Sequence, residues 1–171
     1  AFARALSKRW KAVVRKYLID ENTMLAAGNC QTSQAMAIYY NIFEPAERKA
    51  AFEQLINLIE EQEYHLDVGV LGGRVLFHVL TEFGYSDLAF SMITRPDYPS
   101  YGNWIARGAT TLWEVFQPEG SDRIGSLNHH FWGDISSWFT QALSGIRMAP
   151  HGEPNEVDFR PSFISRLTHA E

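Results

Sequence analysis

The chain has a single cysteine, Cys30, so it forms no internal disulfide and lacks the cysteine pairs of a zinc cluster. It also lacks an excess of basic residues, because 15 Lys and Arg stand against 20 Asp and Glu, a formal net charge of −5. Nucleic-acid binding is not expected, since such proteins usually carry a basic surface. No apolar run approaches the about 20 residues of a membrane-spanning helix. We expect no nucleic-acid partner, no membrane span, no metal ion and no other cofactor.

What the chain does contain is the composition of an ordinary globular domain. Of its 171 residues, 46% are apolar and 20% are charged, which suits one domain with a sizeable core. Aromatic residues reach 13%, which fits either a sugar-binding site or a well-packed aromatic core. Because the chain opens within a helical pattern and not on Met, we expect a piece of a longer protein or a processed chain.

Hydrophobic spacing predicts helix after helix. The first, from about 2 to 18, carries clustered basic residues that we expect to form the solvated face of an amphipathic helix. Further helices are expected at about 31–40, from Pro45 onward, and at 74–83, 86–93, 100–108 and 128–143. Near the end, Val157, Phe159 and Phe163 alternate with polar residues as in a strand. The pattern predicts an all-α fold, either a ring of antiparallel helical hairpins or a plain bundle, followed by a β segment.

The segment Gly108-Ala-Thr-Thr-Leu-Trp-Glu114, followed by Ser126-Leu-Asn-His-His130, carries the side chains of a sugar-cleaving site. A carboxylate such as that of Glu114 orients a water against an electrophilic carbon. The indole of Trp113 suits stacking on a sugar face, and imidazole groups bind hydroxyls. A glycosidase usually needs two carboxylic acids, and this segment contains one.

Each of these side chains also has an ordinary structural interpretation. An arbitrary Glu is most often a surface residue, and His129 and His130, expected at a helix start, serve equally well as capping or core residues. A metal ion shared by this pair is not expected, because adjacent His side chains on a helix point in different directions. The polar, Gly-bounded setting of Glu114 between two helices favours the catalytic interpretation.

Five other segments of the chain also form recognisable motifs: Tyr98-Pro-Ser100, Gln31-Thr32, Leu66-Asp-Val-Gly-Val-Leu-Gly72, Leu80–Ala89 and Trp138–Gly145. Together with the Thr-Thr-Leu-Trp-Glu and Ser-Leu-Asn-His motifs, they resemble the corresponding motifs of bacterial α-L-rhamnosidases of glycoside hydrolase family 78. The resemblance covers nearly the whole chain.

The resemblance implies an (α/α)6 barrel and inverting hydrolysis of terminal α-L-rhamnosides, with a rhamnose-containing glycoside or polysaccharide as substrate. Glu114 falls on the family's general base, and His129 falls on a His that contacts rhamnose, with Asn128 and Trp113 as further sugar-binding residues. One alternative is an (α/α)6 glycosidase that acts on another sugar. A second is a non-catalytic helical module that binds glycan or only packs.

The chain departs from the family's pattern in several places. Nothing matches the family's general acid or its upstream sugar-stacking Trp residues, Asp67-Val68 replaces the usual Thr-Thr, and Phe131-Trp132 is bulkier than expected. The resemblance therefore implies the second half of the barrel over residues 1–145 and the start of a C-terminal β-domain over 146–171. We expect this half barrel to be inactive alone, and to self-associate or close its helices differently because core surface is exposed.

Overall fold

The computed structural model describes residues 2–121, 125–148 and 156–169. The chain divides into two compact units, Ala1–Leu76 and Phe77–Glu171. The first contains α1 (Phe2–Leu18), an antiparallel pair β1 (Ile19–Asp20) and β2 (Leu25–Ala26), α2 (Gln31–Tyr39), α3 (Arg48–Glu61) and α4 (Val70–Gly73). The second begins within α5 (Leu76–Glu82) and contains α6 (Ser86–Thr94), α7 (Tyr101–Ala106), α8 (Ile135–Trp138), a π-helical turn (Phe139–Leu143), and antiparallel strands β3 (Ile146–Met148) and β4 (Val157–Phe159).

The α2 helix is the centre of the first unit, where it packs against α3 and α4. Ala35 and Ile38 of α2 are fully enclosed, as are Leu55 and Ile59 of α3. Burying one large aliphatic side chain stabilises a fold by roughly 1.5–3 kcal/mol, so this contact supplies much of the unit's hydrophobic stabilisation. Gln34, also fully buried, forms hydrogen bonds that join α2 to β2 and α3.

The first residues of α2 hold the loop that leads to α4. The buried amide of Gln31 donates to the carbonyl of His65 at 2.8 Å and accepts from the N–H of Asp67 at 3.1 Å. Gly72 lies against Thr32, and a Cβ at this glycine would overlap the Thr32 hydroxyl. Two of the segments that resemble the family thus pack on one another, and the small glycine allows their close approach.

The α1 helix is attached to the first unit by its polar face. Lys11 pairs with Glu44 at 2.9 Å, and both terminal nitrogens of Arg15 donate to Glu47, at 2.7 and 2.8 Å. These hydrogen bonds from Arg15 lower the pKa of Glu47. The expectation of a solvated basic face is therefore wrong for Lys11 and Arg15. What faces outward is an apolar stripe, every member of which is at least 38% exposed: Phe2, Leu6, Trp10, Val13 and Tyr17.

Aromatic residues form the core of the second unit. Trp138 of α8 is fully buried and lies against Phe77 of α5, with ring centroids 6.1 Å apart. Its indole N–H lies 2.8 Å from the Thr81 hydroxyl and 3.1 Å from the Phe77 carbonyl oxygen. At Gly102 of α7, a Cβ would overlap the carbonyl oxygen of Arg95 just after α6, so only glycine allows this approach.

The end of the described chain folds back on α6. β3 and β4 pair so that Ile146 lies opposite Phe159, which matches the strand predicted at this position. The Asp87 carboxylate of α6 accepts hydrogen bonds from the Ser165 N–H at 2.8 Å and from its hydroxyl at 2.7 Å. These bonds lower the pKa of Asp87. Phe163, included in the predicted strand, lies beyond β4 and is 91% exposed.

Two predicted helices begin three or more residues later in the structure, and α4 lies where none was predicted. The helix predicted over 128–143 is reduced to α8 and the π-helical turn, since residues 128–134 form bends and turns along which the His129 N–H donates to the Leu112 carbonyl. The third helix begins at Arg48 and not at Pro45, because a turn closed by Glu47 N–H and the Glu44 carbonyl precedes it. Within the described part of the chain, no helix combines the length and apolarity needed to cross a membrane.

Candidate active site

Two irregular segments of the second unit run side by side: the Glu114 segment (residues 111–116) and the His129 segment (residues 125–132). The Glu114 N–H donates to the carbonyl of Ser126 at 2.8 Å. The His129 N–H donates in the other direction, to a carbonyl of the Glu114 segment, also at 2.8 Å. The two motifs singled out in the sequence are therefore brought together by main-chain hydrogen bonds.

The half-buried side chain of Glu114 is held from the His129 segment. Its Oε2 accepts the Ser126 N–H at 2.9 Å, and its main-chain carbonyl accepts the indole N–H of Trp132 at 2.9 Å. Gly125 packs closely on the same segment, where a Cβ would lie 3.1 Å from Cγ2 of Val115 and 3.4 Å from the Glu114 Cβ. Of the described residues, none donates a hydrogen bond to Oε1. One carboxylate oxygen is thus fixed, and the other is left to accept from a water.

Trp113 is half-buried and lies beside Arg107 and Trp104. The guanidinium carbon of Arg107 is 5.2 Å from the centroid of the Trp113 ring, a cation–π distance. The ring centroid of Trp104 is 6.1 Å away, with 45° between the planes. Trp113 is therefore held by its neighbours and retains exposed surface.

The predicted binding residues Asn128 and His129 lie on the His129 segment, outside any helix. Asn128 is exposed, whereas His129 is half-buried and accepts the Phe131 N–H on Nδ1 at 3.3 Å. In the neutral imidazole this leaves Nε2–H as the donor. The rings of His129 and His130 stack with 9° between their planes and 5.1 Å between centroids. The expectation that these side chains point in different directions is wrong, because it assumes a helix.

Two residues that hold Glu114 were not identified from the sequence, Ser126 as a main-chain partner and Trp132 as an indole donor. Trp132 is 4% exposed and packs on Phe116 at 4.5 Å between ring centroids. The only sequence signal is the unexpected bulk of Phe131-Trp132 after the His pair. Both contacts use main-chain atoms of Glu114 or Ser126, which every residue has, so no pattern of residue types in the sequence indicates them.

His78 of α5 lies apart from these segments. Its Nε2 is 3.2 Å from Oδ2 of Asp134, which directly precedes α8. Burial lowers the pKa of His78 although the Asp134 carboxylate acts in the opposite sense. This half-buried imidazole joins α5 to the start of α8 and is a structural group. Among the described residues, no three His, Cys, Asp or Glu side chains are placed to hold a metal ion.

An apolar cleft of about 640 Å³ lies next to the first half of the Glu114 segment. Thr111, Leu112, Trp104 and Ile135 are among its lining residues, but Glu114 is not. This cleft therefore does not by itself mark the site. The hydrogen-bonded pair of segments is the candidate site.

Residues 2–143 match the family model of the bacterial alpha-L-rhamnosidase 6 hairpin glycosidase domain. The chain belongs to this family. An alpha-L-rhamnosidase of Streptomyces avermitilis is 34% identical over 149 residues, which are 84% of this chain and 14% of that protein. One of Alteromonas sp. (strain LOR) is 29% identical over 177 residues, with 98% of this chain and 18% of that protein covered.

The rhamnosidase relationship extends to the structure. The crystal structure of the Streptomyces avermitilis alpha-L-rhamnosidase complexed with L-rhamnose superposes with a TM-score of 0.83 at 30% identity, over 92% of this chain and 16% of that one. The predicted all-α fold, part of the helical barrel of rhamnosidases with small strands at its end, is confirmed. The chain spans less than one fifth of the length of these relatives.

Proposed function

We propose that this chain forms the base side of the active site of an inverting α-L-rhamnosidase, in which Glu114 activates the attacking water. The observation that carries the proposal is the hydrogen bond from the Ser126 N–H to Oε2 of Glu114, at 2.9 Å. It orients the carboxylate from the neighbouring segment and leaves Oε1 without a donor among the described residues. A general base needs this combination, a fixed carboxylate with one oxygen directed to water.

In the proposed reaction, Glu114 takes a proton from the water as the water oxygen attacks the anomeric carbon of rhamnose. An acid on the opposite face protonates the glycosidic oxygen, and the aglycone departs. Inverting glycosidases hold their two carboxyl groups roughly 6.5–9.5 Å apart to leave room for the water. We assign the acid to another part of a longer protein, since this chain covers 14% and 18% of two related rhamnosidases.

We assign rhamnose binding to Trp113, Asn128 and His129. Indole surface, an exposed amide and the Nε2–H of an imidazole together suit a sugar, which presents both C–H and O–H groups. The substrate is then the terminal rhamnose of a glycoside or polysaccharide. Residues 1–145 are assigned to the second half of the barrel and 146–171 to the start of a β-domain. The part of that tail over 149–155 lies outside the described residues.

The reaction can be tested on the full-length protein that contains these residues, with an aryl α-L-rhamnoside and a panel of other aryl glycosides. We expect the rhamnoside to be hydrolysed fastest and β-L-rhamnose to be the first anomer seen by proton NMR. Release of the α anomer first would contradict inversion. Preference for another glycoside would favour the alternative sugar, and no hydrolysis at all would favour the non-catalytic module. The 171-residue chain alone is expected to be inactive, because it supplies one carboxylate of the pair.

His129→Ala in the full-length protein is expected to raise KM by roughly tenfold and to change kcat much less, because it removes a hydrogen bond to the sugar and not the base. Initial rates over a range of aryl rhamnoside concentrations give both constants. His130→Ala is the matched control, since His130 is exposed and adjacent. Equal effects of the two substitutions would remove His129 from the binding site.

We also propose that the isolated chain self-associates through the apolar stripe of α1. Trp10 and Tyr17 in this stripe are 62% and 68% exposed, which is unusual for residues at helical spacing on one face. Light scattering coupled to size-exclusion chromatography is expected to show oligomers that Trp10→Glu dissociates. Arg4→Glu, on the other side of the helix, should leave them unchanged. A monomeric unsubstituted chain would refute this proposal.

A further inference from the structure

A buried indole reaches the main chain of the base residue. Nε1 of Trp132 donates to the carbonyl oxygen of Glu114 at 2.9 Å, and Trp132 is 4% exposed. An indole has one donor and no acceptor, and a buried donor is nearly always paired. The bond is part-buried, so losing it would leave the Glu114 carbonyl without its protein partner in a site of limited water access.

The indole is itself held in place by an aromatic cluster. Phe116 lies 4.5 Å from Trp132 between ring centroids, and Tyr101 lies 6.1 Å away with 87° between planes. The hydroxyl of Tyr101 also donates to the main-chain carbonyl of Trp132 at 3.3 Å. Burial raises the pKa of Tyr101, so its hydroxyl stays protonated and continues to donate. Both the ring and the backbone of Trp132 are therefore anchored to the second unit.

The consequence for Glu114 is attachment at three points. Ser126 accepts its N–H and donates to its carboxylate, and Trp132 donates to its carbonyl. The peptide on either side of the base is thus fixed by the segment that also carries His129. We propose that Trp132 is a positioning residue that sets the position of the Glu114 carboxylate relative to the sugar-binding segment. This inference rests on the proposed role of Glu114 as the base.

Trp132→Phe in the full-length protein tests the role of the indole N–H, because it keeps an aromatic ring in the cluster and removes the donor. We expect kcat for the aryl α-L-rhamnoside to fall by about tenfold or more with KM nearly unchanged, since a small displacement of a catalytic group has a large effect on rate. Faster amide hydrogen exchange is also expected in the peptide covering the Glu114 segment. Tyr101→Phe removes the hydroxyl that donates to the main-chain carbonyl of Trp132, and it should lower kcat in the same way but by a smaller factor.

Trp104→Phe is the matched control for this substitution. Trp104 belongs to the same cluster and is 2% exposed, yet its indole N–H has no acceptor among the described residues. Replacing it removes the same atoms and no hydrogen bond. Because Trp104 also contacts Trp113, which we assign to rhamnose binding, its loss is expected to change KM more than kcat, so the two variants are compared on kcat. If Trp132→Phe and Trp104→Phe have equal effects on kcat and on exchange, the positioning role is refuted.

A double substitution separates this proposal from the proposed function. In a Glu114→Gln background, Trp132→Phe should lower the residual kcat little further, because the group that it positions is no longer a base. Full additivity of the two effects would overturn the inference. If Glu114→Gln alone has only a mild effect, the proposed function fails, and the exchange measurement still decides whether Trp132 fixes the Glu114 segment.

Discussion

Glu114→Gln in the full-length protein is expected to lower kcat by about 10³-fold, since general base catalysis contributes typically 10²–10⁴-fold. Gln has nearly the same shape and keeps an oxygen that accepts the Ser126 N–H, so the fold and the segment pairing should persist. What is lost is the ability to take a proton from water. The rate with an aryl α-L-rhamnoside measures the effect, and circular dichroism verifies that the protein is folded.

The matched control for this substitution is Glu119→Gln. Glu119 lies five positions further along the same connection and is exposed, so its replacement removes the same charge without touching the paired segments. We expect it to leave kcat unchanged. A decrease in kcat of less than about tenfold for Glu114→Gln would show that Glu114 is not the general base, because a base is expected to contribute at least 10²-fold.

Trp138→Ala is expected to reduce the free energy of unfolding of the second unit by about 3–5 kcal/mol, the usual cost of truncating a buried aromatic residue. The side chain is fully enclosed, packs on Phe77 and donates to the Thr81 hydroxyl. Its removal leaves a cavity and an unpaired group between α5 and α8. Urea denaturation followed by circular dichroism measures the loss.

Phe139→Ala provides the comparison, because the adjacent aromatic side chain is 38% exposed and its truncation removes less buried area. We expect the midpoint of denaturation to shift much less for Phe139→Ala than for Trp138→Ala. Similar shifts would indicate that the α5–α8 contact contributes little to the stability of the second unit.

Much of the helical fold follows from local residue patterns. The α2 helix begins at Gln31 as predicted, α6 begins at the predicted residue and ends one residue later than expected, and α7 lies within the range expected from the Ser100 start. These elements are recognisable from local features: small and apolar residues in α2, apolar spacing in α6, and in α7 the Ser100 side chain that accepts the Asn103 N–H. The strand at Val157 and Phe159 is found for the same reason, as its period of two is also local.

The predictions that failed depended on contacts between distant residues. His129 does not start a helix, because its segment is hydrogen-bonded alongside the Glu114 segment, at Ser126 and at His129. Lys11 and Arg15 do not form a free solvated face, because they pair with Glu44 and Glu47, which lie beside them in space. The partners of these residues lie far away in the sequence, so the residue pattern around each position does not indicate them.

The sequence by itself determined the helical class of this protein and, through the Thr-Thr-Leu-Trp-Glu and Asn-His motifs, its rhamnosidase family. Residue types and spacing are enough for that, because they record which faces must be buried and which groups are available for chemistry. Only the tertiary structure decided how Glu114 is held. Its three attachments use main-chain atoms of Glu114 and Ser126, together with the Glu114 carboxylate and the indole N–H of Trp132. Main-chain atoms are the same in every residue, so their pairing is decided by how the chain packs.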